Sequence, residues 1–377
     1  MTATASSACA ACLRRGYLVG QLAARIAGLL DSPHARLTGV LALPDEELVA
    51  AVGGKDRGDA LAFLERFDAA SARQELEQAG VGAVCRHDCG YPSQLEQLDD
   101  APAVLFVKGA GDLGPLAGRE PCVALVGARR ASPYGLEVTH ELGRGLAAAG
   151  LTVVSGLALG IDAEAHRGCL DAGGLPLAVL GCGPDIPYPR TNRRLYDRVC
   201  ERGLVIAELP PGQRPFRWSF PARNRIMAAL AQMTVVVEAA EPSGSLITSD
   251  FATQLGRSVG AVPGQVTSSV ARGTNRLLKD GAVFVTSPED VLDELYGAET
   301  QNRPAEPRRN PLVSLGDPVQ RLLLEAVEGG LGVDGICAHA GLPVQEVRAG
   351  LSRLEAAGHV RRDPLGMYRR AAGSPQG

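Results

Sequence analysis

Lysine is almost missing from this chain: only Lys55, Lys108 and Lys279 contribute to its 38 cationic residues, and the rest are arginines. Aromatic residues make up 4% and there is one tryptophan. Excess positive charge is missing too. The formal net charge is −4, so no global field attracts nucleic acid and any anion site must be a local patch. No apolar run reaches the length of a membrane span, and the start has no basic stretch followed by an apolar core, so neither membrane insertion nor secretion is expected. The nine cysteines are odd in number and irregularly spaced. That excludes a disulfide framework and implies reduced thiols in a cytoplasmic protein. No Walker A loop is present, the loop at 126–135 does not carry the GxGxxG of a dinucleotide site, and Ser155 lacks the G-x-S-x-G turn of a hydrolase.

At 377 residues the chain is too long for one ordinary core. Residues 1–90 are expected to form a helical domain. Leu18, Leu22, Ile26 and Leu29 recur at helical spacing, and Pro44 followed by Asp45, Glu46 and Glu47 marks a helix start that Gly53 and Gly54 later stop. From residue 91 short apolar runs alternate with helical stretches: 104–108, 123–126, 151–154, 177–180, 204–207, 234–237, 258–262 and 282–285. Continuous apolar strands separated by helices predict an α/β fold, a Rossmann-like doubly wound parallel sheet over 91–297. Residues 298–315 are polar and proline-rich, as a linker would be. Residues 316–377 read as three helices and a hairpin, a winged helix. Its charges nearly cancel, which favours partner docking or weak DNA contact over a strong duplex grip.

The stretch SGLALGIDAEAH (155–166) follows an apolar strand and enters a helix. A loop of small residues there, around Ser155, Gly156 and Gly160, presents backbone N–H groups to an anion. In VGARRASPYG (126–135), Gly127 is followed by Arg129 where a dinucleotide loop would need its second glycine. Arginine instead offers a fork suited to phosphate. In GCGPDIPYPRTNRRL (181–195), Tyr188 stands beside Arg190, Asn192 and Arg193, and aromatics interleaved with cations bind single strands. Arg223, Asn224 and Arg225 cluster in FPARNRIM. Ser243, Gly244, Ser245 and Thr248 form a second small-residue loop, and Asn275 lies in GTNRLLKD. A doubly wound sheet gathers such loops on one rim, which points to one large anion site.

Asp162 and His166 are four apart on one helix face, with Ser155 near, and could be read as a catalytic group. The missing G-x-S-x-G context favours a structural role for Asp162 and His166, so no catalytic residue is expected. Cys9 and Cys12 form a CxxC, with Cys85 and Cys89 far downstream and His87 between them. These four cysteines could make a zinc site, but the loose spacing favours ordinary thiols; no metal or cofactor is expected.

Taken together, VGARRASPYG, SGLALGIDAEAH, GCGPDIPYPRTNRRL, FPARNRIM, SGSLIT and AVPG, in that order, closely resemble the DNA-processing protein A (DprA, or Smf) family. The entry YPSQLEQLDDAPAVLFVKG (91–109) fits the same pattern. The resemblance implies a cytosolic homodimer that binds single-stranded DNA without sequence preference, protects incoming strands during natural transformation and loads the RecA recombinase. It would place Arg129, Tyr188 with the basic residues after it, and Arg223, Asn224 and Arg225 on the DNA. Gly156, Gly160 and the Ser243–Thr248 loop would supply backbone donors. Two other readings remain open. One is a sensor or phosphoribohydrolase-like enzyme for a nucleotide-derived small molecule, although the PGGxGT loop of such enzymes is missing and Glu238 stands without it. The other is a double-strand DNA regulator acting through the winged helix.

Overall fold

The computed structural model describes residues 8–30, 37–111, 113–114, 121–297, 323, 326–327, 331–356, 360–362 and 368–370. The chain divides into two compact units, Met1–Ala305 and Glu306–Gly377. The stretch expected to be a linker lies outside the described residues.

The larger unit is built on a nine-stranded sheet: β1 (Gly82–Cys85), β2 (Val104–Gly109), β3 (Cys122–Val126), β4 (Thr152–Ser155), β5 (Pro176–Leu180), β6 (Leu204–Ala207), β7 (Met233–Val236), β8 (Ser258–Ala261) and β9 (Val283–Phe284). Their spatial order is β1-β2-β6-β5-β4-β3-β7-β8-β9. Strands β3 to β9 pair parallel, as their unbroken apolar runs require. The sheet is not wholly parallel, however. Strand β2 runs antiparallel to β6, and β1 antiparallel to β2. Strand β1 falls inside the segment expected to be purely helical. Its four residues, GAVC, are all buried, but half are glycine and alanine, which carry little strand signal.

Alternate side chains of each strand feed two cores. Ala124 and Val126 face one layer with Ile226, Met227 and Leu230. Val123 and Leu125 face the other with Leu142, Leu146, Ile161 and Ala165. The first layer is carried by α9 (Ser219–Leu230), with α10 (Gly244–Gln254) and α11 (Arg272–Lys279) following it. The second is carried by α6 (Pro133–Ala148), α7 (Ile161–Asp171) and α12 (Pro288–Tyr296), while α8 (Arg193–Arg202) packs beside α7. Helix α6 begins where the sequence indicates, with the Ser132 hydroxyl accepting from the Gly135 N–H at 3.1 Å and Pro133 in the first turn.

Among the described residues five α-helices precede the sheet: α1 (Ala10–Leu30), α2 (Leu37–Ala42), α3 (Asp45–Val52), α4 (Arg57–Arg66) and α5 (Ala69–Ala79). They are not a free-standing domain. Leu18, Leu22 and Ile26 of α1 share a core with Leu209, Trp218 and Ala222, and the Trp218 indole donates to the Ala23 carbonyl at 2.9 Å.

In the smaller unit, α13 (Val333–Ala340) and α14 (Val344–Ala356) pack with the hairpin β10 (Val360–Arg362) and β11 (Tyr368–Arg370). Leu323, Ala326 and Val327, from the stretch expected to form its first helix, are helical and buried in the same core. No helix among the described residues is long and apolar enough to cross a membrane.

Candidate nucleic-acid interface

The chain runs β3 to β6 in one direction across the sheet, then returns to place β7 on the other side of β3. Loops leaving β3 and β7 therefore part toward opposite flanks, and such switch points are where open α/β sheets hold ligands. A cleft of about 330 Å³ opens there. Gly127 and Arg129 line it from the β3 loop, Arg223 and Asn224 from α9, and Ser243, Gly244, Ser245 and Thr248 from the start of α10, with Asp162 beside them. Convergence of these scattered stretches onto one rim is what the sequence pattern implied.

Arg129 is exposed and its guanidinium lies 5.3 Å from the centre of the Phe220 ring. Tyr188, 39% exposed, meets the same ring at 5.6 Å and 39°. Phe220 thus joins a cation and an exposed aromatic into one platform at the mouth of the cleft. Phe220 also lines the cleft, yet was not among the residues singled out from sequence; its place at the head of FPARNRIM was the available signal. Below it the buried Thr248 hydroxyl has no hydrogen-bond partner among the described residues. The α10 N-terminus is capped by Ser243, whose hydroxyl accepts from the Ser245 N–H.

The stretch 155–166 has a different part from the one expected. Two of its donors are already engaged: the Ser155 hydroxyl donates to the Leu125 carbonyl at 2.6 Å, and the Gly156 N–H donates to Asp162 at 3.2 Å. Arg223 is buried over Gly156 and donates to the Gly156 carbonyl at 2.6 Å and to the Val179 carbonyl. A Cβ on Gly156 would stand 1.9 Å from that guanidinium and would have to displace it. Arg223 also pairs with Asp162 at 3.5 Å. Burial raises the Asp162 carboxyl and Arg223 pulls it back down. Arg223 therefore charges the floor of the cleft without projecting from it. Leu157 takes a left-handed conformation (φ 55) unusual for a side chain of its size. The Asn192 amide donates to the Leu157 and Ala158 carbonyls at 2.9 and 3.2 Å, fixing that strained turn.

Four expected contacts are corrected on these grounds. Ser155 and Asn192 bond internally, as above. Asn275 is exchanged with the backbone of Gly264, accepting at 3.2 Å and donating at 3.0 Å. Arg225 points away from the cleft: it is fully buried, clasped by Asp100 at 2.8 Å and Glu208 at 2.9 Å, and these carboxylates hold its pKa above the ordinary range. Cations close in sequence need not share a patch: Arg223 and Arg225, two positions apart on α9, face different neighbours. Gly160 caps α7 with φ 75, a left-handed conformation. Arg190 and Arg193 are exposed, the latter 4.0 Å from Asp197.

His166 is fully buried and neither ring nitrogen has a hydrogen-bond partner among the described residues. Burial, with the Arg223 cation behind it, lowers its pKa to about 3. The Ser155 hydroxyl is committed elsewhere and the imidazole is a poor base, so Ser155, Asp162 and His166 are not arranged as a triad. Glu238, the other carboxylate near the rim, accepts from the Ser132 N–H and hydroxyl at 2.8 and 2.5 Å, tying the β7 loop to the start of α6.

A family model described as DNA recombination-mediator protein A matches residues 82–296. The chain belongs to this family. A second model, the DprA winged helix domain, matches residues 303–365. Among DprA relatives, a Mycobacterium tuberculosis putative DNA processing protein is 40% identical over 282 residues, covering 74% of this chain and 69% of the relative. The Streptococcus pneumoniae DNA processing protein DprA is 41% identical over 235 residues, covering 62% of this chain and 81% of the relative. The solved DprA structure from S. pneumoniae superposes with a TM-score of 0.60 at 35% identity, covering 75% of this chain and 95% of that one. A second solved DprA, from Helicobacter pylori and described for its single-stranded DNA binding mode, matches with a TM-score of 0.51 at 28% identity, covering 57% of this chain and 95% of that one.

Proposed function

We propose that this protein binds single-stranded DNA without sequence preference, through the cleft between the β3 and β7 loops. The observation that carries the reading is the Arg129–Phe220–Tyr188 platform at the mouth of that cleft. A cation for the phosphate and an exposed ring for a base are the two elements that sequence-tolerant single-strand binding needs. The binding mode described for the H. pylori relative supports it. Gly127, Asn224 and the Ser243–Thr248 turn line the wall where a backbone phosphate would pass, and Arg190 and Arg193 extend the cationic track from the Tyr188 loop.

On this reading the protein acts in the cytoplasm as a homodimer, shields incoming strands, and hands them to RecA during transformation or homologous recombination. It works by binding rather than by chemistry. The engaged Ser155 hydroxyl and the weakly basic His166 support that choice over an enzyme acting on a nucleotide-derived molecule.

The test is fluorescence anisotropy with single- and double-stranded oligonucleotides at low salt, wild type against Arg129→Ala, followed by a RecA-loading assay on the bound strand. Salt-sensitive single-strand binding that falls in the variant supports the reading. Absence of binding to a strand of ~30 nucleotides at low salt overturns it. Removing residues 316–377 should leave single-strand binding intact; its loss would move the site to the winged helix.

A further inference from the structure

Cys9, Cys12, Cys85 and His87 lie together although the chain places them in two groups 76 residues apart. Their ligand atoms, three Sγ and one imidazole nitrogen, all fall within 4.8 Å of one another. The His87 Nδ1 is 3.5 Å from Cys9 Sγ, 3.5 Å from Cys12 Sγ and 3.9 Å from Cys85 Sγ. A tetrahedral zinc ion with ordinary Zn–S and Zn–N bonds sets its sulfur and nitrogen ligands about 3.6 Å apart. The imidazole–thiol spacings are therefore already close to those of a tetrahedral coordination shell.

Two structural elements supply the ligands in pairs. The Cys9–Cys12 pair straddles the start of α1, whose first residue is Ala10. Cys85 ends β1 and His87 follows two residues on. The Cys9 N–H points at Cys85 Sγ at 3.5 Å, a bond that a thiolate ligand accepts, and Asp88 accepts from the Cys85 N–H at 2.8 Å, fixing the turn that brings His87 round. Cys12 and Cys85 are buried, Cys9 is half-buried, and His87 closes the group from the solvent side. Cys89, the partner that sequence spacing offered, is exposed and outside the cluster. This corrects the set expected from the sequence: the fourth member is an imidazole, two residues earlier.

We propose that Cys9, Cys12, Cys85 and His87 bind one Zn²⁺ as a structural site that clips the N-terminus of α1 to the edge strand β1. Three soft thiolates and an imidazole form a donor set suited to zinc. With all four positions filled by protein, no coordination place is left for a substrate, so the site holds structure rather than doing chemistry. Its effect is to close a long chain segment, α1 to α5, onto the sheet edge, where a clip removes most freedom from the unfolded chain. Ligand binding releases the thiol protons to solvent as zinc enters.

The experiment uses the full chain, purified reduced and without a histidine tag. Elemental analysis should find one zinc per chain in the wild type and in Cys89→Ser. Cys12→Ser and His87→Ala should weaken zinc retention by more than the ~10–100-fold typical of losing an outer partner of a ligand. As ligand variants can misfold, the intact wild type is also stripped with chelator and titrated with Co²⁺. Saturation at one equivalent, with the visible bands of a tetrahedral ion and thiolate charge transfer in the near ultraviolet, supports the proposal. It is overturned if the reduced wild type takes up neither metal stoichiometrically. It is equally overturned if Cys89→Ser loses zinc while His87→Ala keeps it, or if Co²⁺ gives an octahedral spectrum without thiolate bands.

Discussion

Acidification from pH 7 to pH 5 should cost the larger unit about 2 kcal/mol of stability through one side chain, His166. The imidazole is wholly enclosed, and its pKa falls from the ordinary 6.5 to about 3 in the folded chain. Burial is the main cause and the Arg223 cation the second, with the Ser155 backbone opposing them. Below pH 6.5 the unfolded chain takes up a proton that the folded chain refuses until about pH 3. Folding stability from this group is thus complete above 6.5 and is lost as pH falls. Each pH unit of full separation is worth about 1.4 kcal/mol, which gives about 2 kcal/mol between pH 7 and 5 and about 1.3 more by pH 4. Asp162 works with opposite sign, because its carboxyl is raised by burial. For that reason the measurement is the difference between wild type and His166→Leu, in which the Asp162 contribution is shared. Denaturant unfolding at pH 7, 6, 5 and 4 can be followed by the single tryptophan, Trp218, which is buried in the larger unit. The wild type should lose stability relative to the variant by the stated amounts. A difference that stays flat within about 0.5 kcal/mol from pH 7 to 4 would refute the argument, and with it the assignment of His166 as a neutral packing group.

Two further outcomes follow from the cleft and a third from the buried Arg225. Arg129→Ala should weaken single-strand binding about tenfold at low salt and reduce the slope of log affinity against log salt by about 0.7, with stability changed by less than about 0.5 kcal/mol. An unchanged slope in an anisotropy titration would remove Arg129 from the phosphate track. Tyr188→Ala should cost about 1–3 kcal/mol of binding while Tyr188→Phe keeps most of it, since a base stacks on the ring and not on the hydroxyl; equal losses in both variants would contradict stacking. Arg225→Ala should destabilise the fold by about 3–5 kcal/mol, because Asp100 and Glu208 are left facing each other without their cation. A variant that unfolds normally but binds DNA poorly would instead return Arg225 to the interface.

The parallel strands were legible because each is an apolar run bounded by glycine or a cap, and their observed limits lie within a residue or two of those read from 123–126 or 204–207. The rim was legible because Arg129 and Ser243 follow the ends of β3 and β7, which one topology must gather. What the sequence hid was direction. Nothing in FPARNRIM distinguishes Arg223, over Gly156, from Arg225, locked between two carboxylates, since their partners come from residues 100, 162 and 208. Short-range features misled in the same way at the cysteines. CxxC suggested a matching thiol pair, whereas the fold selected His87 because β1 delivers the residue after next. Strand β1 itself was hidden by its glycine and alanine and by the helices before it.

The reversal of β2 decides which end of the molecule the first hundred residues address. Because β2 runs against β6, the chain entering β2 arrives at the carboxyl rim of the sheet, on the side of the cleft. There Asp100 clasps Arg225, and the turn out of β1 ends on that side as well. Had β2 been parallel, the same residues would have been delivered to the blunt opposite edge. Helix α1 packs at this end too, against Leu209 and Trp218, so an amino-terminal truncation made to isolate the sheet would cut through the supports of its rim rather than trim a remote appendage.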